Sequence, residues 1–337
     1  MNKNILVTGC TGYIGSHTTV ELLESGYNVI GIDNFSNSRK SVLTQIQKIT
    51  NQDLVFYEGD ILDGDLLETV FSENQIDAVI DFAAFKAVGE SVAKPVEYYI
   101  NNISTLLNLL QYMQKHTVKK IIFSSSATVY GDQASMPIDE TAKTGETTNP
   151  YGTSKLFAEK ILQDLYFANK DWNIAILRYF NPVGAHPSAL IGEEPSGKPA
   201  NLMPIIINVA LEKFEKVTIY GDDYDTIDGT GVRDYIHVVD LAKAHVKSLD
   251  KIIKENGGLD IYNLGTGNPQ SVLELIKAFQ IANDIKIKYE VGARRPGDVA
   301  MAYANPAKAE KELNWQAELD VEAMCKDAYQ FAIKNLV

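Results

Sequence analysis

A tyrosine and a lysine stand four residues apart in "NPYGTSKLFAEK", residues 149–160. On a helix, positions i and i+4 share a face, so Tyr151 and Lys155 would bring a phenol and an ammonium within reach of each other. A neighbouring cation favours phenolate and lowers a tyrosine's pKa, which makes a weak acid usable as a base. Spacing alone does not establish this chemistry. Tyr166 and Lys170 repeat it in "YFANK", and with 17 tyrosines in the chain an accidental pair is expected. The stretch upstream separates the two pairs. "KKIIFSSS" (119–126) has the form of a buried strand ending in Ser124, Ser125 and Ser126, and Tyr151 starts the next helix. A hydroxyl, a phenol and an ammonium are therefore expected around one point.

A second chemical signal lies at the start of the chain. "VTGCTGYIGSH" (7–17) follows an apolar run and carries Gly9, Gly12 and Gly15, a G-x-x-G-x-x-G pattern one residue longer than the usual dinucleotide fingerprint. The glycines would permit a tight turn, close approach of backbone to a pyrophosphate, and packing of helix on strand. The helix N-terminus then offers free N–H groups and a positive dipole to the phosphates. Asp33 ends the next apolar run, 18 residues after Gly15. A carboxylate there accepts hydrogen bonds from a ribose 2′-OH and repels a 2′-phosphate, which selects NAD over NADP. Asp60, in "EGDI", is placed to meet the adenine edge. "NLGTGN" (263–268) has only Gly265 and Gly267 and no acid downstream, and reads as a tight turn.

These residues need a parallel sheet to position them. The first half alternates strand-like runs with helical patterns, the mark of βαβ units. The expected strands are 4–9, 28–33, 54–60, 78–84, 119–126 and 173–180, each nearly continuous in Val, Ile and Phe, as strands buried on both faces should be. A helix is expected over Tyr13–Ser25, ended by Gly26. After Asn181 the texture changes to a segment rich in proline and glycine. Further on, Ser271 and Glu274 in "SVLELIKAF" form a capping box. The fold class expected is α/β, a doubly wound parallel Rossmann sheet with a smaller C-terminal α/β substrate domain. The boundary is placed at 181, giving 1–181 and 182–337, with 232–249 returning to the first unit.

Composition narrows the function class. The chain has 337 residues, 45% hydrophobic and 22% charged, with no low-complexity run or short repeat. A net charge of −13 argues against a nucleic-acid partner, which requires clustered Lys and Arg. No apolar stretch is long enough to span a bilayer, and "MNKNILVTG" passes into a strand without a signal region. Cys10 and Cys325 make no disulfide framework. A cytoplasmic enzyme is expected. The five histidines are not grouped as metal ligands, and no metal is expected.

The glycine pattern, "SSSATVYG" and Tyr151-x-x-x-Lys155 together resemble the extended short-chain dehydrogenase/reductase superfamily. Within it the chain resembles the UDP-glucose (UDP-galactose) 4-epimerases along its whole length. The matches are "DFAAFKAVGES" (81–91), "SSATVYG" (125–131), "NPYGTSK" (149–155), "LRYFNPVGAHPS" (177–188), "GTGVRDYIHVVDLA" (229–242) and "RRPGD" (294–298), all in order.

The resemblance implies tightly held NAD and a 4-keto sugar intermediate, with Tyr151 as base, Lys155 beside it and on the nicotinamide ribose, and Ser126 on the sugar O4. On the cofactor side it implies Tyr13, Ile14, Asn34, Asn37, Ser38, Ile61, Phe82, Ala83, Ala84, Lys86, Asn101, Ser124 and Tyr179, besides Gly9, Gly12, Gly15, Asp33 and Asp60. On the UDP-sugar it implies Arg233 and Arg295 clamping the diphosphate, a task suited to a planar multi-donor cation, Asp298 on the uridine ribose, and Asn181, Asn201, Leu202, Thr218, Tyr220 and again Lys86. Ala302, four residues beyond Asp298, would border the sugar near C2. A small residue there implies that the N-acetylated UDP-sugars are also substrates. A homodimer through helices around 88–114 and 150–170 is implied as well. The competing readings are a 4,6-dehydratase, whose acidic pair is replaced here by Ala127 and Thr128, a dehydrogenase releasing NADH, and a non-catalytic NAD sensor.

Overall fold

The computed structural model describes residues 2–335 apart from 134, 196, 198, 200, 296 and 297. The apolar runs of the first half become six strands: β1 (Asn4–Thr8), β2 (Asn28–Asp33), β3 (Val55–Glu58), β4 (Ala78–Asp81), β5 (Lys120–Ser126) and β6 (Asn173–Tyr179). Each falls within its expected range, trimmed where polar or small residues begin. Alternate residues face opposite sides: Ile5 and Val7 enter one core with Leu177 and Leu241, whereas Leu6 enters another with Leu67, Leu109 and Trp172. Both faces are thus covered, as the continuous hydrophobicity requires. The first helix, α1, runs Tyr13–Glu24 and stops at Gly26, whose φ of +83° is the left-handed conformation a glycine takes without strain.

All pairings in this sheet are parallel, and β6–β5–β4–β1–β2–β3 is extended beyond β6 by a seventh strand, Gly258–Leu264. The helix Val238–Lys254 packs against α1 and leads into that strand. A division drawn at residue 181 therefore leaves 238–254 and 258–264 with the first unit. The remaining C-terminal segments build small pairings: Val217–Tyr220 with Tyr289–Gly292, and Val232–Arg233 with both Gln270–Ser271 and Met301–Ala302. They close over a separate core of Met203, Ile206, Ile219, Leu275, Phe279 and Met324. Ser271 caps the helix Val272–Asn283 in the expected reciprocal box with Glu274.

The chain order of the strands reverses between β1 and β4, which lie side by side in the sheet. Ligands of doubly wound sheets bind in the crevice beyond the strand ends at such a switch. Gly9 follows β1 and Phe82 follows β4, so both open onto this crevice.

Candidate active site

The glycine turn is built by exclusion of side chains. Gly9 has φ +65°, and a Cβ there would stand 3.2 Å from the Ala83 nitrogen. A Cβ on Gly15 would stand only 2.1 Å from the Gly9 carbonyl oxygen. Gly12 donates its N–H to that carbonyl at 3.0 Å and forms the N-cap of α1, which no side chain caps. The first N–H groups of α1, from Tyr13, Ile14 and Gly15, therefore face the crevice beside a backbone of minimal bulk, a cradle that fits a pyrophosphate. Tyr13 anchors it by donating its hydroxyl to the Gly184 carbonyl at 2.8 Å.

Asp33 is nine-tenths buried at the end of β2. Its carboxylate accepts from the Thr11 N–H at 3.0 Å, the Phe35 N–H at 2.9 Å and the Ser38 hydroxyl at 3.1 Å, tying the glycine turn to the following loop. Asn34 donates to Asp60 at 3.0 Å, Asn37 lies in the same loop, and Asp60 accepts the Leu62 N–H at 2.8 Å. Ile61 is buried, its carbonyl taking the Asn108 side chain at 2.6 Å. These residues form one rim of the crevice.

Across β4, the turn Phe82–Ala83–Ala84 is pinned by Thr8. The Thr8 hydroxyl accepts the N–H groups of Phe82 and Ala83 at 3.2 and 3.3 Å and donates to buried Asp81 at 2.6 Å. Lys86 pairs with Glu193 at 2.9 Å, 5.4 Å from the centre of the Tyr13 ring, and Asn201 donates to the same Glu193 oxygen at 3.0 Å. Asn101 sits in a π-helical turn, Ile100–Ser104, and donates to Asn102 at 3.0 Å.

The helix Pro150–Ala168 brings in the tyrosine and lysine. Asn149 caps it by accepting the Gly152 N–H at 2.9 Å, and Pro150 occupies its first turn. Tyr151 lies beside Ser126, whose hydroxyl accepts from the Thr128 N–H and hydroxyl at 3.2 and 3.0 Å. Lys155 is 4% exposed, donates to the Ser124 carbonyl at 2.6 Å, and lies 4.8 Å from the centre of the Phe123 ring. Burial raises the Tyr151 phenol above its ordinary value, with the Ser126 hydroxyl beside it opposing. Burial lowers Lys155 to about 8 against the pull of Asp81 and Glu159. In this arrangement desolvation sets the direction for Tyr151, and the Lys155 ammonium is turned to the backbone of β5. Tyr179 is buried nearby, its hydroxyl hydrogen-bonded with His245 at 2.5 Å. The other pair has no such setting. Lys170 lies past the end of the helix and covers the Tyr166 ring at 4.0 Å, beside Phe167, which is 81% exposed.

The C-terminal segments carry the remaining candidates. Arg233 donates to the Val232 carbonyl at 2.8 Å and pairs with Asp298 at 3.4 Å. Arg295 lies over the Tyr220 ring at 3.8 Å, and Thr218, on the same strand as Tyr220, donates to Glu290 at 3.4 Å. Pro296 and Gly297 of "RRPGD" lie outside the described residues. Ala302 pairs in register with Arg233. Asn181 is exposed at the start of Asn181–Val183, and Leu202 opens the helix that follows Asn201.

Residues 6–328 match the family model described as GDP-mannose 4,6 dehydratase. The UDP-glucose 4-epimerase of Bacillus subtilis is 54% identical, over 98% of this chain and 97% of its own. The structure of the Bifidobacterium longum UDP-glucose 4-epimerase in complex with NAD+ and UDP superimposes with a TM-score of 0.95, at 55% identity and 99% coverage of both chains. That of the Stenotrophomonas maltophila enzyme, with bound NAD and formylated UDP-arabinopyranose, gives 0.97 at 47% identity and full coverage of both. The chain belongs to the UDP-glucose 4-epimerase family.

For an epimerase of this family, several supporting residues were not among the sequence candidates. Thr8 and Asp81 fix the turn over the cofactor crevice. Asn102 holds both the N–H and carbonyl of Phe85, at 2.8 and 3.0 Å, and the Ser154 hydroxyl at 2.9 Å. Asp234, fully buried next to Arg233, accepts from the Thr266 N–H and hydroxyl, the Gly267 N–H and the Ala304 N–H. The tight turn at 263–268 is thereby a cradle for an internal carboxylate, and it locks the Arg233 strand to the Ala302 strand. Thr8, Asp81 and Asp234 lay within quoted motifs without being singled out, and Asn102 lay outside them; each is a polar residue whose partners lie far along the chain.

Proposed function

We propose that the chain is an NAD-dependent epimerase that interconverts UDP-galactose and UDP-glucose, with Tyr151, Lys155 and Ser126 as its catalytic residues. One observation carries the reading: Tyr151, beside Ser126 and one turn before the buried Lys155 on its helix, stands at the end of β5, next in the sheet to the β4–β1 switch where the glycine turn opens α1. The family's kinship supports it.

The two sugars differ in configuration at C4, so C4 must lose its hydrogen and regain it on the other face through a 4-keto sugar. NAD, when bound, supplies a reversible two-electron acceptor and, in oxidised form, a positive charge able to bring the buried phenol down. Tyr151 as phenolate removes the O4 proton and later returns it. Ser126 hydrogen-bonds O4 and passes that proton. Lys155 holds the nicotinamide ribose hydroxyls and stabilises the phenolate. The keto sugar turns within the site while Arg233 and Arg295 hold the diphosphate and Asp298 the ribose. Gly9, Gly12, Gly15 and Asp33 hold the cofactor.

Dehydratase chemistry is disfavoured, because Ala127 and Thr128 follow Ser126 and Thr128 uses its hydroxyl on Ser126 itself. The first unit, 1–181 joined by 238–254 and the strand 258–264, is read as the NAD-binding domain, and the rest of 182–337 as the UDP-sugar domain. We read the enzyme as a cytoplasmic homodimer. Val92, Val96, Ile100 and Phe157 are 62%, 67%, 54% and 48% exposed on adjoining helices, with the Tyr99 ring stacked on Phe157 at 6.2 Å, an apolar face suited to a second copy. The purified protein, given UDP-galactose without added NAD⁺, should form UDP-glucose with no net release of NADH. Stoichiometric NADH release, or a dehydrated product, would refute the reading.

A further inference from the structure

The helix of Tyr151 and Lys155 carries a third ionisable residue on the same face. Glu159, one turn beyond Lys155, is 1% exposed. Its carboxylate accepts from Arg178 Nη2 at 2.7 Å and Nε at 3.0 Å, and from the Ser125 hydroxyl at 2.5 Å. Arg178, on β6 and 3% exposed, also donates to the Tyr130 hydroxyl at 2.8 Å, and Tyr130 donates to Asn263 at 2.7 Å. The three consecutive serines therefore run along one helical row: Ser126 lies beside Tyr151, the Ser124 carbonyl takes Lys155, and Ser125 donates to Glu159.

A buried ion pair is weak evidence of stabilisation, since apolar residues of the same volume often serve as well. An apolar pair would not anchor the middle serine, nor set a carboxylate one turn from Lys155. We propose that Glu159 is a positioning residue of the epimerase site: clamped by Arg178, it anchors the serine end of β5 through Ser125 and places a negative charge beside the ammonium of Lys155. The inference rests on the reading of Tyr151 and Lys155 as the proton-transfer pair.

The charges around Lys155 fix the direction of the effect. Asp81 approaches from β4 and Glu159 from its own helix, both favouring the ammonium that burial disfavours. Arg178 stands on the far side of Glu159, and the phenols Tyr151 and Tyr179 lie alongside. Without Glu159, Lys155 gives up its proton at lower pH.

The test uses full-length protein with NAD and UDP-galactose. In Glu159→Gln/Arg178→Met the pair is replaced without leaving a buried charge. Because Arg178's positive charge goes with the carboxylate, the alkaline limb of kcat should move down by a measurable amount smaller than the roughly one pH unit that a single opposite charge produces, with KM unchanged. An unmoved limb, whatever happens to Tm, would overturn the proposal. Ser125→Ala leaves the ion pair intact and tests the anchor: kcat should fall about fivefold, the equivalent of one hydrogen bond, at constant KM. An unchanged kcat would also overturn it. Lys155→Met separates the two readings. If it keeps full kcat, the proton-transfer reading and this inference both fall. If it is inactive while the double variant keeps its limb, the inference alone falls.

Discussion

Ala302→Tyr should confine the enzyme to non-acetylated sugars. The strand Met301–Ala302 runs parallel to Val232–Arg233, and two residues on Ala304 bridges Ile138, with Tyr303 accepting the Ile138 N–H and the Asn305 N–H donating to the Ile138 carbonyl. In extended backbone alternate side chains share a side, so Ala302 and Ala304 point together and Tyr303 points away. Ala304 is fully buried with Val129, Tyr130 and Phe180, against which Ala127 packs. On the proposed reading Ser126 and Asn181 meet the sugar, and Ala127 and Phe180 adjoin them in the chain, which assigns this side to the sugar. A tyrosine at 302 would occupy the space an acetamido group on C2 needs. Forcing the two together costs about 1–3 kcal/mol, or about 10–200-fold in selectivity. The assay is kcat/KM for UDP-GalNAc and for UDP-galactose, in wild type and variant. The wild type should turn over both, and the variant should lose mainly the first. Wild-type protein inert toward UDP-GalNAc, or a variant that loses both activities equally, would refute the reasoning.

Tyr151→Phe keeps the ring and removes the base, so kcat should fall at least about 10²-fold with UDP binding nearly unchanged by calorimetry; a crippled Tyr166→Phe beside an active Tyr151→Phe would reverse the assignment. Asp33→Ser removes the repulsion of a 2′-phosphate, so the preference for NAD over NADP should narrow on reconstitution, with a lower Tm because Thr11, Phe35 and Ser38 lose their acceptor. Stability should fall in mild acid. Burial holds His17 down at about 3 and His245 at about 4, so below pH 6.5 the unfolded chain binds two protons that the folded chain refuses. Unfolding free energy should drop by about 3 kcal/mol from pH 6.5 to 5 on their account, and His245→Asn should recover about half of it in urea titrations; a slope unchanged by that variant would sink the assignment.

What could be read from the sequence was local. The glycine turn, the strand ends at Asp33 and Ser126 and the capping box at Ser271 each depend on a few neighbouring residues. Gly9 and Gly15 are required because backbone meets backbone there, a constraint written in residue type. The seventh strand was missed for the opposite reason. "GLDIYNL" gains its place only by pairing with Asn173–Tyr179, far upstream, and its first four residues are only half-buried. Asp234 was missed likewise, because an aspartate beside an arginine looks like surface charge until the turn at 263–268 folds onto it.

The phenol of Tyr151 marks the limit of reasoning from spacing. Four residues on a helix fix that Tyr151 and Lys155 share a face, and they do. They do not fix where the ammonium points or what surrounds it. Lys155 gives one of its three donors to the Ser124 carbonyl, and carboxylates at Asp81 and Glu159 offset its charge. The buried phenol is consequently held as the neutral acid by desolvation. A base poised in this way gains its proton affinity from the protein and its release from charge brought to the crevice. If so, the pH at which Tyr151 ionises should be higher in protein stripped of NAD than in the holoenzyme, read by difference absorbance of tyrosinate against a Tyr151→Phe reference. Equal values in the two forms would mean that the protein alone sets the phenol, and the coupling of proton transfer to cofactor charge would have to be abandoned.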